Sequence, residues 1–147
     1  SWPDVLGKRG LTAETTCRGE NQAMKPMKYK TAELERDLLN AAVAKAEGLP
    51  VHPGPGRFMV ASPINQRWAH EFDWAGSWKD GGPIIERERI TLEWRDREEW
   101  WNNEQVSGPR WVAGAPGGSP AQLGPDPLIA AMRAYIASRF GDEVELP

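Results

Sequence analysis

The residues of this chain best placed to do chemistry lie in "SWKDGGPIIERERI", Ser77 to Ile90, where a glycine pair stands between a tryptophan and a proline. Gly81 and Gly82 ahead of Pro83 can gather consecutive backbone N–H groups into one concavity, and such a concavity attracts an anion. A helical turn opening at Pro83 would add its dipole. Trp74 and Trp78 offer flat faces on which a planar base can stack. Asp73, Asp80 and Glu86 carry carboxylates for ribose hydroxyls, and Arg87 carries a guanidinium for phosphate. Arg133, far along the chain, is a second candidate cation. Together these ten residues describe a ligand-binding set for a nucleotide: phosphate on the glycines, base on a tryptophan, sugar on a carboxylate. A plainer reading uses the same residues: a tight Gly-Gly-Pro turn, tryptophans sealing the edge of the core, and charges facing water.

Catalytic and metal chemistry have less to work with. His52 stands in a proline-rich loop, His70 in a tryptophan-rich one, and Cys17 near the N-terminus has no activating neighbour. Carboxylates are plentiful, but no spacing singles out an acid/base pair. Neither a Gly-Lys-Ser/Thr phosphate loop nor a dinucleotide fingerprint is present. The expectation is a binding protein that is not an enzyme and needs no cofactor or metal. "EEWW", Glu98 to Trp101, reads either as a hairpin tip folding its tryptophans back onto a sheet or as the lip of a cleft.

At 147 residues the chain is one domain's worth, with a net charge of −3 spread in mixed signs, so the basic footprint of nucleic-acid binding is missing. A single cysteine allows no internal disulfide and no cysteine-based zinc site. No apolar run approaches the roughly 20 residues that span a bilayer. Eight Trp against three Phe and two Tyr is an unusual balance. Since each indole N–H needs a partner when buried, several of these rings should stay partly exposed.

The elements that must position such a site are legible at the two ends. Residues 1–26 lack any period and read as a flexible N-terminal extension, with Met24 and Met27 as alternative starts. In "TAELERDLLNAAVAKAEG", Thr31 can cap a helix, Leu34, Leu38, Ala41, Ala42 and Lys45 recur at helical spacing, and Gly48 offers a left-handed stop. Ala41 and Ala42 predict that something packs close to its middle. Prolines and glycines then forbid regular structure until a strand at "RFMVA". From Ser62 to Gly82 the chain reads as a loop, and so long a loop in a compact domain tends to be functional. From Glu88 on, Ile90, Leu92 and Trp94 alternate with polar residues, which predicts a strand, and a second one is expected around Arg110 to Ala113. "PGGSPAQLGP" reads as a loop. Asp126 caps and Pro127 opens a final helix carrying Leu128, Met132, Ile136 and Phe140, and Gly141 ends it. The predicted architecture is α+β: a small antiparallel sheet packed with an N-terminal and a C-terminal helix, and a long Trp/Gly-rich loop between them.

Three segments, "YKTAELERDLLNAAVAKAEG", "GGPIIERE" and "DPLIAAMRAYIASRFGDEVELP", together resemble the small NinX-like proteins of tailed phages and prophages. The resemblance covers residues 27–147 as one domain and leaves out residues 1–26. Trp78, Gly81, Gly82, Pro83, Ile84, Ile85, Glu86 and Arg87 match that family's central motif, and Pro127 to Arg133 match its C-terminal one. The family usually carries an acid just before the tryptophan. Ser77 stands there in this chain, so that role is either absent or taken over by Asp73 or Asp80. The resemblance implies a phage accessory protein in the host bacterial cytoplasm. Its expected function is to bind and sequester a nucleotide-derived signalling molecule of host antiviral defence, as a homo-oligomer whose subunits complete the pocket. The alternative is a module that binds a host or phage replication or recombination protein through its Trp-rich face.

Overall fold

The architecture is known from a computed structural model that describes residues 26–54, 57–61, 66–68 and 71–147. Among these the chain runs β1 (Met27–Lys30), a 3-10 turn (Thr31–Glu33), α1 (Arg36–Ala46), β2 (Val51–Gly54), β3 (Arg57–Ala61) and β4 (Gln66–Trp68). It continues through α2 (Trp78–Glu88), β5 (Thr91–Asp96), β6 (Glu99–Trp101), β7 (Glu104–Val106), β8 (Pro109–Gly114), β9 (Gln122–Gly124), α3 (Pro127–Phe140) and β10 (Glu143–Leu146). The α+β class is as expected, but the strands divide among four small antiparallel sheets: β1-β10, β2-β3-β4, β5-β8-β9 and β6-β7.

Helix α3 is the centre of the core. Every residue from Ala130 to Ala137 is buried, so its apolar stripe has widened to nearly the whole circumference. Its alanines are what allow this. Ala130 lets strand β9 approach at backbone distance through Gly124, and Ala131 and Ala134 are fully buried beside Met132, Tyr135 and Ile136. The cap is the one the sequence predicts, with Asp126 Oδ1 accepting the Ile129 N–H at 2.9 Å and Pro127 opening the first turn. Helix α1 packs on α3, and its Leu39, Ala41, Ala42 and Val43 all have no exposure.

Several local expectations are corrected. Thr31 does not cap a helix: it belongs to the 3-10 turn, is buried, and donates its hydroxyl to the Gly141 carbonyl at 2.7 Å. That bond ties the start of the domain to the end of α3, and α1 begins only at Arg36. The segment before "RFMVA" is not irregular, because Val51–Gly54 pairs with Arg57–Ala61. Pro53 lies in β2, an edge strand of its sheet among the described residues, which is where a sheet admits proline. β4 and the first turn of α2 fall inside the stretch read as loop. β1 and β10, at the two ends of the domain, pair with each other, and β9 forms within "PGGSPAQLGP". Residues 1–25 of the expected N-terminal extension, Cys17 among them, and His70 lie outside the described residues. No described helix is long and apolar enough to cross a membrane.

Candidate functional site

Helix α2 opens five residues before Pro83, and this single shift redraws the site. Gly81 and Gly82 are helical, so their N–H groups do not form a concave turn; that of Gly81 donates to the Ser77 carbonyl at 2.8 Å. Pro83 is accommodated inside the helix, and the residue before it is a glycine, which has no Cβ to meet the pyrrolidine ring. Gly81 serves packing. A Cβ there would lie within contact distance of the Trp74 carbonyl oxygen and 2.7 Å from Leu128 Cδ2, so only glycine lets α2 approach both the Trp74 loop and α3.

What remains at this end of α2 is a different anion-ready feature. Ser77 is the N-cap, but its side chain makes no capping hydrogen bond, and Trp78 and Lys79 hold the first helical positions. Trp78 is 54% exposed and lines a pocket of about 240 Å³ with Ala75, Gly76, Asp126, Pro127 and Leu128. The first turns of α2 and α3 therefore meet at one place. The α3 terminus is occupied by its own Asp126 cap; the α2 terminus is not capped by a side chain. Asn40 of α1, buried, accepts the Ala75 N–H at 3.1 Å and holds this loop against the core. Trp74 lies half-buried with its ring stacked on Phe72, centroids 5.1 Å apart and planes 8° from parallel. Asp73 accepts the Gly76 and Ser77 N–H groups through its carbonyl, and Asp80 sits in the first helical turn.

The other predicted residues lie elsewhere. Arg87, at the far end of α2, makes two bonds to Glu47 at 3.1 and 2.7 Å, one to Glu88 at 2.8 Å and one to the Tyr135 hydroxyl at 3.1 Å. It is a structural cation whose donors are already committed, and Glu86 is exposed beside it. Arg133 is neither a pocket cation nor a surface residue. It is buried, with Nε donating to the Leu34 carbonyl and Nη1 to the Leu123 carbonyl, both at 2.8 Å. Burial pushes its pKa down, opposed by the charges of Glu35 and Asp126. Of the ten candidate residues, Trp78 lines this pocket and Gly81 packs against its Leu128, while Arg87 and Arg133 are committed to partners elsewhere.

Around Arg87 the electrostatics have a measurable consequence. Burial pushes the Glu47 carboxyl up, but bonds from Arg87 and Tyr135 outweigh it and hold the pKa below the ordinary value. Burial, with Glu47 adding to it, pushes the Tyr135 hydroxyl up to about 12, so it stays a donor to Glu47. A carboxyl depressed on folding contributes stability above its unfolded pKa, and that contribution is lost as pH falls through the folded value. E47Q is expected to lose about 1 kcal/mol at pH 7 and to approach the parent as the pH falls below the ordinary carboxylate range, measured as urea midpoints. An equal gap at pH 7 and at low pH would show that Glu47 is not coupled to Arg87 and Tyr135.

Sequence reasoning missed the part of the pocket wall that Asp126 and Pro127 supply. "GPDP" announces a helix start but nothing in it says which loop that start will face. It also missed a larger cleft of about 490 Å³ between the 3-10 turn, the β6–β7 tip and the β9 approach, lined by Lys30, Thr31, Ala32, Asn102, Pro120, Gln122, Asp142 and Glu143. Its walls come from four separate stretches of chain, none with a motif. "EEWW" is half hairpin tip and half surface: Glu99–Trp101 forms β6, Trp100 is 73% exposed and Trp101 is half-buried. Among the described residues no group of three or more His, Cys, Asp and Glu side chains is placed to hold a metal ion.

The sequence profile described as Bacteriophage P22, NinX matches residues 30–139. The chain belongs to this NinX family of bacteriophage proteins. No curated protein matches the chain.

Proposed function

We propose that this chain is a phage accessory protein that acts in the host cytoplasm. It binds and sequesters a nucleotide-derived signalling molecule of host antiviral defence, without turning it over. The observation that carries the reading is Trp78: an exposed indole on the first turn of a helix whose N-terminus has no side-chain cap, beside a second helix start. The base stacks on Trp78, phosphate takes the Trp78 and Lys79 N–H groups with the Lys79 ammonium, and ribose hydroxyls take Asp80 or Asp126. About 240 Å³ lies below the roughly 300–1,000 Å³ of pockets that bury a whole small ligand. One subunit therefore encloses only part of a nucleotide, and the reading calls for a homo-oligomer.

The test is binding and release. The protein is mixed with cyclic nucleotides and ADP-ribose-type signals, freed of unbound ligand, and heated; the released material is identified by mass spectrometry. Intact ligand near one per site is the expected result, and W78A should weaken retention by about 10- to 100-fold, the loss of one stacked base. Altered ligand would make the protein an enzyme, and an empty panel would end the nucleotide reading. A second reading is favoured by Trp100, the most exposed of the large hydrophobic residues among the described ones, with Trp94 also half exposed: an interaction module that docks a host or phage replication or recombination protein.

A further inference from the structure

Strand β5 has a ladder partner on one side only. The sheet runs β5-β8-β9, which leaves the outer edge of β5 without a ladder among the described residues. That edge is six residues long, "TLEWRD", with no proline, no lysine and no bulge in its register with β8, and its charges, Glu93, Arg95 and Asp96, are of both signs. Glu93 and Trp94 point to opposite faces, yet Trp94 is 52% exposed and the Glu93 side chain 55%. We propose that this edge pairs antiparallel with the same edge of a second copy, across a two-fold axis at Trp94, joining two three-stranded sheets into one of six. The proposal does not rest on the reading of the Trp78 pocket.

The register follows from symmetry and charge. Hydrogen-bonded and non-hydrogen-bonded pairs alternate along an antiparallel ladder, so a two-fold axis has to set one residue opposite its own copy. Centring on Glu93 would set carboxylate against carboxylate, and centring on Arg95 guanidinium against guanidinium. Centring on Leu92 would leave only residues 91–93 of the strand overlapping. Centring on Trp94 overlaps residues 92–96 and sets Glu93 of each copy opposite Arg95 of the other, twice over. On one face Trp94 already lies beside its cross-strand partner Trp111, ring centroids 5.4 Å apart, so four indoles would line up across the axis. On the other face Arg110, which opposes Arg95 on β8, would be followed by Arg95 and then Glu93 of the second copy. Opposite charges and aromatic pairs set directly across a ladder are the pairs that stabilise it.

Sedimentation equilibrium on the full chain tests this. The expected mass is twice the 16.4 kDa of one chain. E93R places arginine opposite Arg95 at both symmetric positions and should raise the dimer Kd at least about tenfold. W94E, which sets two carboxylates on the axis, should do the same if E93R fails to fold, while E104R on exposed β7 should leave the Kd unchanged. Far-ultraviolet circular dichroism reports whether each variant is folded. A monomer at all concentrations overturns the proposal, as does a dimer that folded E93R or W94E leaves at the parental Kd.

Discussion

Replacing Gly124 with alanine is expected to destabilise the domain by about 3 kcal/mol, the upper range for overpacking a rigid contact. The residue sits on β9 opposite Trp111, and a Cβ there would fall 2.5 Å from Ala130 N, 2.8 Å from its Cα and 3.0 Å from its Cβ. Two of those three atoms are backbone in the first turns of α3, so no side-chain rotation relieves the clash. The strand would have to move off the helix, and with it the Leu123 carbonyl that receives Arg133. Urea unfolding should show a lower midpoint with an unchanged slope, since the surface exposed on unfolding is the same. Parental stability in G124A would mean that β9 and α3 are not in backbone contact.

The second large effect is expected at Arg133. Removing a buried arginine whose guanidinium serves the Leu34 and Leu123 carbonyls leaves both acceptors without their donor, and R133A should lose about 3 to 4 kcal/mol. The two carbonyls belong to segments 89 residues apart in sequence, the turn before α1 and strand β9, which α3 holds together through this one side chain. R133K separates the roles. It keeps the charge, but a single ammonium cannot reproduce a planar fork reaching two acceptors, so it should recover only about half of the loss. Unfolding midpoints for the three proteins, in the order parent, lysine, alanine, check this. Full stability in the lysine variant would show that charge rather than fork geometry is what matters.

Arg133 and Gly124 also show where reading the sequence stops. A lone arginine between Met132 and Ala134 on a helical stripe carries no sign of its depth. It is buried because strand β9 and the start of α1 close over that side of α3, and this closure depends on Gly124 and on the small residues of the helix. The same limit applies to Arg87. Its position beside a Gly-Gly-Pro motif suggested a ligand, but Glu47, 40 residues away, is what it meets.

Local chemistry was enough wherever the deciding interaction lies within a few residues. Asp126, Pro127 and Gly141 bound α3, the period-two run at Ile90 to Trp94 makes β5, and the mixed α+β class follows from both together. The Gly-Gly-Pro run is where local preference was overruled. A glycine pair and a proline favour a turn by themselves, yet Trp78 to Glu88 is helical because the glycine at position 81 lets the helix lie against the Trp74 loop and Leu128, burying Ile84. Short strands whose partners are remote in the chain, such as β1 with β10, leave no periodic trace in a few residues. The sequence alone therefore determined the two terminal helical regions and the mixed class. Only the tertiary structure decided that Trp78 faces the start of α3, because that meeting depends on long-range packing and not on any local preference of the residues involved.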